Sequence, residues 1–181
     1  MTYINRLRSI LERIEIYEEA PSVTPSPPQA AAVDPTMADR TDVFIVHGHA
    51  AREHEVGLVV AELGLKPVIL KNELHRGSTT LIEKLERESK RCGFAIVVIT
   101  ADDEGRKAGT ADELKPRARQ NVVLELGYFA ALLGRENVTI LHDPAVEVPS
   151  DFSGVGYYPL DEGGAWKGRI EGELRLAGLI S

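Results

Sequence analysis

Phe94-Ala95-Ile96-Val97-Val98-Ile99 (FAIVVI, residues 94–99) is the most β-rich segment of the chain and reads as its central strand. A second short apolar run, Val43-Phe44-Ile45-Val46, has the unbroken hydrophobicity of a strand buried on both faces. Between them lie a helical stretch over residues 50–63, stopped at Gly64 where a left-handed cap belongs, and a strand over Pro67 to Leu70. A helix then starts at Ser78, carries Leu81, Ile82 and Leu85 on one side, and runs to about Arg91.

Beyond the central strand, Thr100 to Arg117 is polar and long for a connection in a compact domain, which makes it a functional suspect. A helix over Arg119 to Leu133 ends at Gly134, Val138 to Leu141 is a strand, and Tyr157 to Leu160 a shorter one. The last helix covers about Trp166 to Ala177. Strict alternation of strand and helix, joined by right-handed crossovers, predicts an α/β fold with an open parallel sheet between two layers of helices. The small-domain solution is a five-stranded, flavodoxin-like order, 2-1-3-4-5. Its ligands bind at the carboxyl ends of the first and third strands.

The N-terminal part differs in composition. Residues 20–40 hold five of the ten prolines and no aromatic residue, the pattern of an extended linker. Residues 1–19 place Ile4, Leu7, Leu11 and Ile14 at helical spacing, with Tyr3, Ile10 and Tyr17 beside them. So short an amphipathic helix is marginal alone; it packs on another copy, on another protein, or on the domain that begins at residue 41.

Across 181 residues, 21 Lys and Arg face 28 Asp and Glu, a net charge of −7. That balance argues against direct nucleic-acid binding over a broad surface, but not against a small anion. One cysteine, Cys92, excludes a disulfide framework and a multi-cysteine zinc site. No apolar run approaches the roughly 18 residues of a membrane span and no signal peptide opens the chain, so a cytoplasmic protein away from membranes is expected.

The segment RQNVVLELGYFAALL (119–133) is apolar on nearly every face and calls for protein cover on several sides. Glu125 is its one acidic residue, and Asn121, Glu125 and Tyr128 fall on a narrow polar stripe. Such a carboxylate is ion-paired to Arg117 or Arg119, raised in pKa, or turned to a wet pocket. Gly127 beside it suggests close approach of backbone or ligand. After the first strand, Gly48 in His47-Gly48-His49 lets a ligand approach the backbone; the two histidines alternate in direction, which argues against a shared metal. Arg76, Gly77 and Ser78 suit a phosphate or ribose, although Ser78 as a plain helix cap needs no ligand. Asp102 and Asp103 end the third strand as in a phosphoacceptor receiver, but the acidic pair that chemistry needs after the first strand is replaced by His47-Gly48-His49. Neither Cys92 nor any serine sits in an evident triad.

The strings VFIVHGHA (43–50), GSTTLIEKLE (77–86), FAIVVITADDEG (94–105), RARQNVVLELGYFAALLGR (117–135) and VPSDFSGVGYYPLDEGGAW (148–166) resemble the bacterial TIR-like nucleotide-binding domain. It is a condensed relative of Toll/interleukin-1 receptor domains found in antiphage effectors. The resemblance spans about Asp42 to Leu179 and leaves out the N-terminal helix and linker. It implies a three-layer TIR fold and cleavage of the nicotinamide–ribose bond of NAD⁺, with NAD⁺ as substrate and neither cofactor nor metal. The family's essential glutamate matches Glu125. Substrate would be bound by His47, Gly48, His49, Arg76, Gly77, Ser78, Asp102, Asp103, Arg119 and Asn121. Assembly into a homo-oligomer, through TIR–TIR contacts and the N-terminal helix, or a separate sensor protein would switch it on. The alternative is a nucleotide-binding or TIR–TIR interaction module without catalysis. Residues 142–155 are too rich in Pro and Gly for the long helix of larger TIR domains.

Overall fold

The computed structural model describes residues 40–49, 52–70, 80–149 and 154–181. The expected helix 1–19, nearly all of the linker 20–40 and the loop 71–79 lie outside them. In chain order the elements are β1 (Asp42–Val46), α1 (Glu53–Glu62), β2 (Pro67–Ile69), α2 (Leu81–Ser89), β3 (Cys92–Ile99), β4 (Asp103–Gly105), β5 (Lys115–Arg117), α3 (Gln120–Leu133), β6 (Val138–His142), β7 (Gly156–Pro159) and α4 (Ala165–Leu176). β2, β1, β3, β6 and β7 form one parallel sheet in that order. Counting its own strands, this is the 2-1-3-4-5 arrangement expected from the alternation.

β3 is central because all eight of its residues are buried. Its side chains alternate between two cores. Phe94, Ile96 and Val98 join Val56, Val60, Trp166, Ile170 and Leu174 beneath α1 and α4. Ala95, Val97 and Ile99 join Leu85, Val122, Leu126 and Phe129 beneath α2 and α3. Each large apolar side chain removed from water this way contributes about 1.5–3 kcal/mol. Strands covered on both faces have no solvated side, which is why they read as continuous apolar runs. Cys92 is among these buried residues, and burial, its largest influence, pushes the thiol up to about 12. No helix among the described residues is long and apolar enough to cross a membrane.

Helix ends follow local chemistry. At the end of α1, Gly64 has φ +80°, its N–H bonds the Ala61 carbonyl at 3.0 Å, and the Leu65 N–H bonds the Val60 carbonyl at 3.2 Å. These are the paired bonds of a Schellman ending, which needs the left-handed residue. α2 does not start at Ser78. Thr80 caps it: the Thr80 side chain accepts from the Glu83 N–H at 3.3 Å and the Glu83 carboxylate accepts from the Thr80 N–H at 2.6 Å. This reciprocal pair satisfies two otherwise orphaned donors. Thr80→Ala is expected to lower stability by about 1 kcal/mol in urea unfolding.

Two expectations are corrected here. The third strand ends at Ile99, so Asp102 and Asp103 lie beyond it, Asp102 in the connection and Asp103 on β4. The polar stretch after it is not one long loop, because Asp103–Gly105 pairs antiparallel with Lys115–Arg117. Arg117 then fixes this hairpin to the β6–β7 connection through a 2.8 Å contact from its Nε to Glu147 Oε2. Between residues 142 and 155 no helix forms among the described residues.

Candidate functional site

The chain turns in opposite directions on leaving β1 and β2, so the carboxyl ends of β1 and β3 border a crevice at the switch point. α3 enters there with its first turns. Phe44, Ile45, His47, Leu70, Arg119, Asn121 and Glu125 line a cavity of about 30 Å³ at that place. β1 supplies the floor, the β2 end supplies Leu70, one face of α3 supplies Asn121 and Glu125, and Arg119 stands immediately before that helix. Asn121 and Glu125 share that face because they are four residues apart on a helix.

Glu125 is half-buried. Neither expected ion pair forms. Arg117 is engaged by Glu147, and Arg119 directs Nη1 to His49 Nε2 at 2.9 Å. Among the described residues no hydrogen bond or ion pair holds the Glu125 carboxylate. Burial lifts its pKa above the usual carboxylate range, while the charges of His47 and Arg119 pull it back down. The stripe is also shorter than predicted, since the Tyr128 hydroxyl turns away to meet Ser89 Oγ at 2.9 Å.

A carboxylate that folding makes harder to ionise weakens the fold wherever it is charged. The folded state holds this proton more tightly than the unfolded chain. Stability from this group is therefore full below the ordinary glutamate pKa and is lost as pH rises through the raised one. Glu125→Gln keeps the volume and has no charge to desolvate. It is expected to unfold at higher urea than wild type at pH 7, with the gap narrowing as pH falls toward the ordinary carboxylate range.

His47 ties two strands together at the pocket wall, with Nδ1 2.9 Å from the Gly48 carbonyl and Nε2 3.3 Å from the Leu70 carbonyl. His49 is exposed; because guanidinium only donates, its Nε2 accepts from Arg119. Asp102 joins the site from β3's end: Oδ1 accepts from the His49 N–H at 3.1 Å and Oδ2 from the Thr100 hydroxyl at 3.0 Å. Gln120 and Val123 lie on the other side of α3's first turns. There, with Asp103, Glu104, Glu147 and Val148, they line a wider cleft of about 680 Å³. Its carboxylates are exposed.

The structure therefore brings His47, Arg119, Asn121 and Glu125 together, with Gly48, His49 and Asp102 bordering them. Asp103 lies apart on the hairpin, and Arg76, Gly77 and Ser78 fall outside the described residues. Sequence reasoning passed over Phe44, Ile45 and Leu70 as pocket walls and Thr100 as the partner of Asp102; only the Thr100-Ala101-Asp102 spacing hinted at the last. Among the described residues no group of His, Cys, Asp and Glu is arranged to hold a metal ion. α3 is not covered on all sides either. Val123 is 38% and Leu124 67% exposed, and no atom of the described residues lies within 4 Å of where a Cβ on Gly127 would sit, so no backbone among them makes the close approach expected there.

Residues 42–162 match the family described as the TIR domain of CAP12/Pycsar effector proteins. The uncharacterised protein YuaY of Escherichia coli (strain K12) is 46% identical over 138 residues, covering 76% of this chain and 46% of that one. Protein tirC of Dictyostelium discoideum is 37% identical over 127 residues, covering 64% of this chain and 62% of its own length. The Pycsar effector protein BcPycTIR of Burkholderia cepacia is 40% identical over 81 residues, 43% of this chain and 25% of that protein. This chain thus spans less than two thirds of each relative's length.

Proposed function

Because the chain belongs to the family of CAP12/Pycsar effector TIR domains, we propose that it is an NAD⁺ glycohydrolase with Glu125 as its catalytic carboxylate. The observation that carries this reading is a half-buried carboxylate, raised in pKa and held by no protein donor among the described residues, at the switch point of the sheet. Nicotinamide in NAD⁺ is already a cationic leaving group, so its departure needs no general acid. It leaves an oxocarbenium-like ribose, the transition-state type of glycoside hydrolysis. A carboxylate in a site shielded from water stabilises that developing charge, or holds a ribose hydroxyl beside it. Water then adds to the ribose, or the adenine closes on it to give a cyclic product. Asn121 offers an amide to the ribose, and Arg119, at the start of α3, offers a cation to the pyrophosphate.

Relatives described as Pycsar effectors support an effector role in antiphage defence, with a separate sensor or assembly as the trigger. A specific observation favours a second reading. The cavity that the described residues line beside Glu125 is about 30 Å³, room for a water molecule. Either the site opens on assembly, or the chain is an interaction module without catalysis. Incubation of concentrated protein with NAD⁺, followed by chromatography of the products, separates the two. Release of nicotinamide with ADP-ribose or its cyclic form supports the glycohydrolase; intact NAD⁺ at every protein concentration favours the module.

A further inference from the structure

The turn His47-Gly48-His49 carries the chain out of β1 and is held by a side chain 53 residues beyond His49. Asp102 takes the His49 N–H on Oδ1 at 3.1 Å and the Thr100 hydroxyl on Oδ2 at 3.0 Å, and its own N–H bonds the Thr100 carbonyl at 2.9 Å. The carboxylate also lies flat against Gly48: a Cβ there would meet Oδ2 at 1.7 Å and Cγ at 2.7 Å. Gly48 is not among the glycines with positive φ, so its backbone is open to other residues. A Cβ at this position would displace the Asp102 carboxylate from its hydrogen bonds, so that contact, and no turn geometry, favours glycine here.

Two consequences reach the pocket. The Gly48 carbonyl is one of the two acceptors that set the His47 ring, and His47 lines the cavity beside Glu125. His49, fixed through its N–H, presents Nε2 to Arg119, which lines the same cavity. His47 and Arg119, the side chains next to Glu125, are therefore both oriented through the turn that Asp102 clamps. We propose that Asp102 is a positioning residue for the Glu125 site, acting on it through the His47-Gly48-His49 turn and without touching substrate. This rests on the glycohydrolase reading only for its effect on turnover; the clamp itself is a statement about His47 and His49.

Four variants of the full chain test it: Asp102→Ala, Asp102→Asn, Gly48→Ala, and Gly48→Ala with Asp102→Ala together. Each is measured twice, by the ring resonances of His47 and His49 in long-range ¹H–¹⁵N spectra and by kcat and KM for NAD⁺. Asp102→Ala is expected to move both ring signals and to lower kcat by about ten- to a hundredfold, the scale of misplacing a catalytic group by an ångström. Asp102→Asn keeps an oxygen acceptor for the His49 N–H and should recover kcat to within about threefold of wild type. Gly48→Ala drives a methyl into the carboxylate and should resemble Asp102→Ala, which keeps the test open if the latter does not fold. The double variant should be no worse than either single one, because both act through one contact. Unmoved histidine signals in Asp102→Ala, or losses that simply multiply in the double variant, would overturn the proposal. If wild-type protein leaves NAD⁺ intact while the ring signals move as expected, the glycohydrolase reading fails and the clamp stands.

Discussion

Glu125→Gln is expected to reduce NAD⁺ turnover by at least about a hundredfold, the usual loss on removing a preorganised electrostatic group. The substitution conserves volume and removes only charge. Among the described residues lining the cavity Glu125 is the one acid. The loss should fall on kcat, because positive charge on the ribose exists in the transition state and not in bound NAD⁺. Glutamine still hydrogen-bonds a ribose hydroxyl. If Glu125→Ala loses no more than Glu125→Gln, charge stabilisation is the dominant role; a further loss in alanine reports the hydroxyl contact. In wild type the acid limb of the pH–rate profile should lie above the usual glutamate range, since burial disfavours the ionised form that works. A Glu125→Gln enzyme within tenfold of wild type would remove the carboxylate from the mechanism.

Phe129→Ala is expected to have the largest effect on stability, about 3–5 kcal/mol out of the 5–15 kcal/mol of a typical domain. Phe129 is fully buried on the inner face of α3, with its ring centroid 4.5 Å from that of Phe44. Truncation removes the transfer contribution of the ring and leaves a cavity between helix and sheet. Phe44 also lines the Glu125 pocket, so the same change loosens the floor under the carboxylate. Urea unfolding of the purified variant measures the loss directly. A decrease below about 1 kcal/mol would mean that α3 is not anchored on β1 by this pair.

The parallel sheet was legible because its strands are buried on both faces, and FAIVVI and VFIV have no polar alternation to confuse them with anything else. The hairpin was not. Asp103-Glu104-Gly105 and Lys115-Pro116-Arg117 carry little strand propensity, and their pairing is secured from outside by Glu147. Apolar residues all round 119–133 could not say which face stays open. That depends on what the fold leaves uncovered, and Val123 and Leu124 lie on that side. Glu125 was identifiable as the odd residue in an apolar helix, and the absence of a pair to Arg117 or Arg119 follows from partners chosen elsewhere: Glu147 for Arg117 and His49 for Arg119. The clamp of Asp102 on Gly48 was invisible for a simpler reason. No local pattern encodes a contact across 53 residues.

The central claim is that this chain breaks the nicotinamide–ribose bond with Glu125. Free nicotinamide, measured against NAD⁺ consumed by the concentrated full chain with Glu125→Gln run in parallel, tests it most directly. The account predicts one nicotinamide per NAD⁺ lost for wild type and none above background for the variant. Intact NAD⁺ with the wild-type chain, or equal nicotinamide release by both proteins, would contradict it.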